Sequence, residues 1–123
     1  MRGDETAPLE VQVFGVRKSA DTRAALRFFS ERRIRTHFVD LDERPPSPRE
    51  LERFASKFGA QGLIDRGAKR FIELGLQTAQ LTDTRWLEKL VAEPLLLRLP
   101  LVRHQNDVTI GAAQDAWKQW CGK

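Results

Sequence analysis

The spacing of apolar and polar positions changes along the first third of the chain, and the change predicts a strand–helix–strand unit. Val11 and Val13 alternate with other residues in a short run that is typical of a β-strand. The Ala- and Leu-rich stretch from about residue 20 to 32 favours a helix. Alternation returns over 36–41 and predicts a second strand. Such a unit is expected to form a parallel pair with a right-handed crossover.

Helical signals fill the middle of the chain. The segment Ser-Pro-Arg-Glu at 47–50 is a helix start, with serine as cap, proline at the first helical position and glutamate at the third. Gly59 is expected to end this helix. Two or three short helices are predicted to follow, up to about Ala92. Pro94 closes this region, in which Thr82 or Asp83 is expected to cap the last helix.

The last quarter of the chain predicts a hairpin and a final helix. Strands are expected at 101–104 and 108–110, around the turn-prone sequence at 105–107. A helix is expected over 112–121, with Trp117 and Trp120 on one side as core or interface anchors. The order of elements predicts an α/β fold in which a helical insertion separates the second strand from the third.

Length and composition indicate one globular domain. The chain has 123 residues, of which 41% are hydrophobic. Residues 1–8 are expected to be a flexible leader and 9–123 a single domain, with its core at 9–46 and 95–121 and the insertion at 47–94. No apolar run has the length of a membrane span, and the start lacks the apolar stretch of a secretory signal. A single cysteine agrees with a reducing cytoplasm, the expected location.

The charge of the chain is positive, at +4 with a pI of about 9.7. Basic residues crowd the first helix and its exit: Arg23, Arg27, Arg32, Arg33 and Arg35. A nucleic-acid partner would favour a repeated alternation of aromatic and basic residues or a known binding motif, and neither is present. We therefore interpret the cluster as a solvated helix face and expect no direct nucleic-acid partner and no membrane partner.

The turn between the first strand and the first helix carries the most informative chemistry. A nucleophile placed there sits at the positive end of the helix dipole, where a cysteine thiolate would be stabilised. The order of strand, Gly-containing turn, nucleophile position, three residues and arginine resembles the arsenate reductase (ArsC) family and its YffB-type and Spx-type relatives. In that family the loop carries Cys-x-x-x-Arg, whereas here it runs from Ser19 to Arg23. PPSPREL from Pro45, FIELGL at 71–76 and PLLLRLPLV at 94–102 extend the resemblance over roughly residues 9 to 120.

The resemblance implies a thioredoxin-like fold with a helical insertion. It also implies a cis peptide bond before Pro100, which would form one wall of the site facing the catalytic loop. The family reduces arsenate through a cysteine thiolate, and Ser19 stands at that position. Family arginines that hold the oxyanion align with three other residue types: Asp65, Leu99 and Ala112. Arg66 and Arg98 are adjacent to two of these positions, but in a strand a shift of one residue turns a side chain to the opposite face.

Ser19 therefore has two interpretations. Serine is a preferred helix N-cap, a task that Asp21 or Thr22 could share, and we favour that role. A serine nucleophile needs a neighbouring base, and neither His37 nor His104 is expected beside it. The amides at the helix start, together with Arg17, Lys18 and Arg23, remain candidates for a vestigial anion site.

These features favour a protein of this family that has lost thiol catalysis and acts by binding or regulation. Two alternatives stay open. One is a residual oxidoreductase linked to glutathione or glutaredoxin, and the other is an Spx-like regulator that binds RNA polymerase. No metal and no cofactor are expected, although glutathione is possible. We interpret Cys121 as an incidental thiol whose pKa the nearby Lys123 could lower slightly.

Overall fold

The computed structural model describes residues 9–122 and contains one four-stranded sheet. Its strands are β1 (Glu10–Gly15), β2 (Arg35–Asp40), β3 (Leu101–His104) and β4 (Asp107–Ile110). Their spatial order is β2-β1-β3-β4. β1 is parallel to β2, whereas β3 is antiparallel to both β1 and β4. The parallel pair and the hairpin that the sequence predicts are both confirmed, and the predicted leader lies outside the described residues.

Five α-helices accompany the sheet. They are α1 (Ala20–Glu31), α2 (Pro48–Phe58), α3 (Lys69–Glu73), α4 (Asp83–Ala92) and α5 (Gln114–Trp120). α2, α3 and α4 lie between β2 and β3, which confirms the α/β thioredoxin-like fold with a helical insertion after the second strand. Within residues 9–122, no helix combines the length and the apolar character that crossing a bilayer requires.

The sheet separates two hydrophobic cores, because successive side chains of a strand point to opposite faces. Val11 and Val13 pack on one face against the aromatic side chains of α1 and against Trp117 of α5. Phe14 and Leu101 face the other side, where the insertion forms the larger core. The Trp117 indole nitrogen donates a buried hydrogen bond of 2.9 Å to the Thr109 hydroxyl and so fastens α5 to β4.

Two boundaries near the C-terminus differ from the prediction. The final helix was expected from 112, but it begins at Gln114, since Gly111 has a φ of +66° and Ala113 a non-helical φ of −120°. The hairpin turn has two residues rather than three. Asp107 pairs with His104 and therefore belongs to β4.

Candidate functional site

The loop after β1 delivers Ser19 to the start of α1. Val16 is buried in the larger core, and its carbonyl accepts a hydrogen bond of 3.1 Å from the Ser19 amide. Ser19 has an extended backbone, and its Oγ accepts a hydrogen bond of 3.1 Å from the Thr22 amide. The side chain therefore caps the helix in the way the sequence indicates, and its oxygen is already engaged with the protein backbone.

Close packing between Gly15 and Thr22 fixes the shape of this turn. Thr22 is completely buried, and a Cβ on Gly15 would collide with its hydroxyl and its methyl group. Among the described residues, the Thr22 hydroxyl has no hydrogen-bond partner. Thr22 therefore serves as a spacer that presses α1 against the end of β1, and Ser19 alone provides the side-chain cap.

The cations of the loop turn in different directions. Arg23 folds back one helical turn, and its Nη1 donates a hydrogen bond of 2.7 Å to the Arg17 carbonyl. The Arg17 side chain leans towards β2 instead, with its Nε 3.9 Å from Asp40 Oδ2 and its guanidinium 4.8 Å from the Phe38 ring centre. Arg23 thus stays near the helix start, whereas Arg17 is held partly away from it.

Pro100 lies at the same end of the sheet as this loop. The bond between Leu99 and Pro100 is cis, as the resemblance implies. Phe14 pairs with Leu101, so the antiparallel register places Pro100 across from Gly15, four residues before Ser19. The Pro100 carbonyl accepts a hydrogen bond of 2.9 Å from Gly111. Direct contact between Pro100 and a ligand at Ser19 stays a prediction.

The three positions at which the resemblance implies arginines, 65, 99 and 112, carry no cation. Leu99 is half-buried and packs against the larger core, while Asp65 and Ala112 are exposed. The neighbouring Arg66 is held within the insertion, where its Nη2 donates 2.9 Å to Gln61 Oε1. Arg98 is exposed, and its backbone is bound to the insertion through a 2.8 Å hydrogen bond from its amide to the Leu63 carbonyl.

Both histidines lie towards the far end of β1 from Ser19. His37 is paired with Gln12, and His104 Nδ1 is 3.1 Å from the Glu10 carbonyl. A strand rises about 3.3 Å per residue, so Gln12 is about 10 Å and Glu10 about 17 Å from Gly15. Neither imidazole is therefore placed to act as a base for the Ser19 hydroxyl.

Cys121 lies beside the other end of α1. Partial burial raises the pKa of its thiol, and the nearby Arg32 opposes this rise only in part. The expectation that this pKa is lowered is therefore wrong. Arg32 follows the C-terminus of α1 and Ser19 precedes its N-terminus. Because α1 has 12 residues and rises about 1.5 Å per residue, its ends are about 18 Å apart. Cys121 is not in reach of the loop at Ser19.

Two of the clustered basic residues have structural partners. The Arg32 guanidinium stacks 3.6 Å from the centre of the Phe28 ring. Arg35 forms a 3.1 Å ion pair with Glu10 at the start of β1. In residues 9–122, no three side chains of His, Cys, Asp or Glu come together as a metal site.

One family model matches the β1–α1 loop and most of the rest of the chain. The sequence model described as the ArsC family matches residues 14–120, which include the β1–α1 loop, the insertion and α5. The chain belongs to the ArsC family. It is 29% identical over 105 residues to an arsenate reductase of Neisseria meningitidis, an alignment that covers 83% of this chain and 90% of that protein.

Solved ArsC-like structures have the same fold. The arsenate reductase of Vibrio cholerae superposes with a TM-score of 0.79 at 20% identity, covering 92% of this chain and 98% of that one. A protein named YFFB superposes with a TM-score of 0.83 at 19% identity, covering 91% of this chain and 99% of its own.

One polar feature of this ArsC-family chain escapes the sequence analysis. A cleft beneath α2 brings together arginines from two elements, Arg49 and Arg53 of α2 and Arg103 of β3. The spacing of four residues between Arg49 and Arg53 is the only signal that the sequence offers, because it places both on one helix face. Their convergence with β3 depends on how α2 crosses the sheet.

Proposed function

We propose that this ArsC-family protein does not reduce arsenate through a protein thiolate and acts by binding. The capping role of Ser19 carries this proposal, because the side chain at the nucleophile position holds the Thr22 amide. A serine hydroxyl is a weak nucleophile without an adjacent base. Both histidines lie towards the other end of β1, and Cys121 lies at the far end of α1.

The same loop retains part of an anion site. The first amides of α1 point out of the helix, and the partial positive charge of the helix end attracts anions with or without a thiol. Lys18 is exposed, and Arg23 is folded towards this point. Asp65, Leu99 and Ala112 provide no cation, so the hold on a tetrahedral oxyanion is weak. We expect a dissociation constant in the millimolar range, or about 4 kcal/mol of binding free energy.

An activity assay tests the loss of thiol catalysis. Arsenate reduction is measured with glutathione and glutaredoxin for the wild type, Cys121→Ser and the double variant Ser19→Cys/Cys121→Ser. We expect no turnover above background for the first two proteins. Wild-type turnover that is lost in Cys121→Ser would contradict the first part of the proposal, because it would assign catalysis to the one protein thiol. Turnover that survives in Cys121→Ser would contradict the second part, because the protein would then reduce arsenate without a thiol rather than act by binding.

The double variant also tests the loop geometry. Its cysteine at position 19 should react with iodoacetamide near neutral pH much faster than wild-type Cys121, because the helix dipole stabilises a thiolate there. Arsenate turnover should still be far below that of an active reductase, because the three arginine positions are unchanged. Alkylation no faster than that of Cys121 would show that the loop has lost the electrostatic character of a nucleophile site.

Anion binding at the loop is tested by titrating inorganic phosphate at constant ionic strength while following amide NMR shifts. Shifts should concentrate at residues 17–23 and decrease in Arg23→Ala. The matched control is Arg27→Ala, which removes the same charge one turn further along α1. If both variants reduce the shifts equally, the response comes from the general basic surface and the loop is a helix cap only.

A further inference from the structure

A cleft of about 300 Å³ lies on the sheet face that α2 covers. Gln12 and Arg103, which pair across β1 and β3, form one side of it. Arg49 and Arg53 of α2 form the opposite side. Gln12 is three residues before the end of β1, which places this cleft about 10 Å along the strand from the loop side of the sheet. It is separate from the anion site at Ser19.

The charge in the cleft is strongly positive. Glu50 is the one acidic residue in the lining, and both of its carboxylate oxygens are engaged by Arg44, at 3.1 and 2.9 Å. In the described part of the chain, Arg49, Arg53 and Arg103 form no ion pair with a carboxylate. Like charges four residues apart on a helix destabilise it, so the pair on α2 leaves an unfavourable repulsion that a bound anion would relieve.

The position of Arg103 is fixed while most of its donors remain free. Its Nε donates a hydrogen bond of 2.8 Å to the Gln105 carbonyl just beyond β3. Within residues 9–122, its two terminal nitrogens have no hydrogen-bond partner. A guanidinium held in this way presents a planar pair of donors that matches a carboxylate or a phosphate. The Gln12 amide beside it adds one more donor and one acceptor.

The floor of the cleft is aromatic. Phe14 and Phe54 are 2% and 1% exposed and meet edge to face with ring centres 5.9 Å apart. An apolar floor next to charged walls strengthens electrostatic attraction, because it excludes water from one side of the ligand. At this exposure a ligand meets only the edges of the two rings, and carbon atoms of an organic ligand can use that contact whereas an inorganic ion cannot. A cleft of this size is at the lower end of the range for small-molecule sites, about 300–1,000 Å³.

We propose that this cleft binds a small organic dianion, a phosphomonoester or a dicarboxylate. Arg53 and Arg103 grip the anionic groups from opposite walls, Arg49 adds charge at the rim, and Gln12 contacts a polar group of the ligand. The carbon skeleton occupies the rest of the cleft, against the edge of Phe14 that lines it. This function does not depend on the chemistry at Ser19.

The test is an NMR titration of the folded, full-length chain at constant ionic strength with three probes. Phenyl phosphate represents phosphomonoesters, succinate represents dicarboxylates, and inorganic phosphate lacks a carbon skeleton. We expect saturable shifts of the Gln12 side-chain amide and of the Arg53 and Arg103 Nε–H signals with one organic probe. The dissociation constant should be about 1 mM or lower, and the organic probe that binds more tightly identifies the class.

Variants separate this site from the general basic surface. Arg53→Gln and Arg103→Gln should each weaken binding about tenfold, equivalent to about 1.4 kcal/mol. Arg27→Gln on α1 loses the same charge away from the cleft and should leave binding unchanged. Thermal unfolding of each variant shows that it is folded.

Three results would overturn the proposal. Shifts that do not saturate would show that no site exists. An equal loss of affinity in Arg27→Gln would assign the effect to overall charge. Inorganic phosphate binding as tightly as both organic probes would refute the role of the aromatic floor.

Discussion

Gly15 ends β1 directly beneath the first turn of α1, and the change Gly15→Ala tests how strictly that contact is required. The added Cβ would stand 2.6 Å from the Thr22 methyl carbon and closer still to its hydroxyl oxygen. Thr22 is fully buried, so it has no room to turn aside. Overpacking of this kind costs about 1–3 kcal/mol. The lower entropy of an unfolded chain with alanine returns about 0.4–1 kcal/mol. We expect a net loss of about 1–2 kcal/mol in the free energy of unfolding.

A double-mutant cycle shows whether the collision is the cause. Thr22→Ala removes both atoms and leaves only a Cβ at 3.1 Å from the new methyl group. Alone, Thr22→Ala loses the burial of a methyl group, which lowers stability by about 0.8 kcal/mol. It also removes a buried unpaired hydroxyl that destabilises the wild type by about 1–3 kcal/mol. It should therefore be neutral or slightly stabilising. The double variant should be nearly as stable as Thr22→Ala, which corresponds to a coupling energy of about 1–2 kcal/mol.

Urea unfolding followed by tryptophan fluorescence measures all four proteins of the cycle. Gly67→Ala is the matched control, because the only close atom to its added Cβ is Asp65 Oδ1 at an ordinary 3.6 Å. It should change the free energy of unfolding by less than about 0.5 kcal/mol. The reasoning fails if Gly15→Ala is as stable as the wild type, or if the double variant loses the sum of the two single effects.

Three further predictions concern stability. Ser19→Ala should lower the free energy of unfolding by about 1 kcal/mol through loss of the cap, and Ser19→Asp should retain most of it; equal losses in urea unfolding would contradict the capping role. Thr109→Val leaves the buried Trp117 indole N–H without its acceptor and should cost about 1–3 kcal/mol, whereas Thr109→Ser should keep the bond. The pKa of Glu50 is lowered, mainly by the hydrogen bonds that Arg44 donates to its carboxylate. The ionised carboxylate therefore stabilises the folded state above the ordinary carboxyl pKa, and this contribution is lost as pH falls through the lowered pKa. The stability difference between the wild type and Glu50→Gln, measured by urea unfolding, should be constant above about pH 5 and shrink below about pH 4; a difference independent of pH would contradict this.

Local signals in the sequence predict much of the backbone because they act between neighbouring residues. Ser47 and Glu50 form the complete capping box that their spacing indicates. Thr82 caps α4 through a hydrogen bond from the Arg85 amide, and Asp83 becomes its first residue. The start of α5 is less well defined by sequence, because the helix lacks a side-chain N-cap and its first residue depends on the turn at Gly111.

The candidate site is predicted less completely, because it depends on side-chain directions and on contacts between distant segments. The positions of Arg17 before α1 and of Arg23 in its first turn suggest that the two act together, yet Arg17 leans onto Phe38 of β2. The register between β1 and β3, which places Pro100 across from Gly15, follows from strand pairing over long sequence separations. Burial raises the pKa of Cys121, whereas its position near a lysine in the sequence suggests a lowered pKa.

The single thiol of this protein has a practical consequence. Cys121 is exposed at the end of α5, and no other cysteine occurs in the sequence. A maleimide dye or tether will therefore couple at one chemically unique point without any substitution. Since the Ser19 loop is at the opposite end of α1, a chain immobilised through Cys121 presents that loop towards the solution. Such an oriented surface provides a direct route to capturing ligands of the loop. The double variant Ser19→Cys/Cys121→Ser, attached through position 19, provides the reversed orientation.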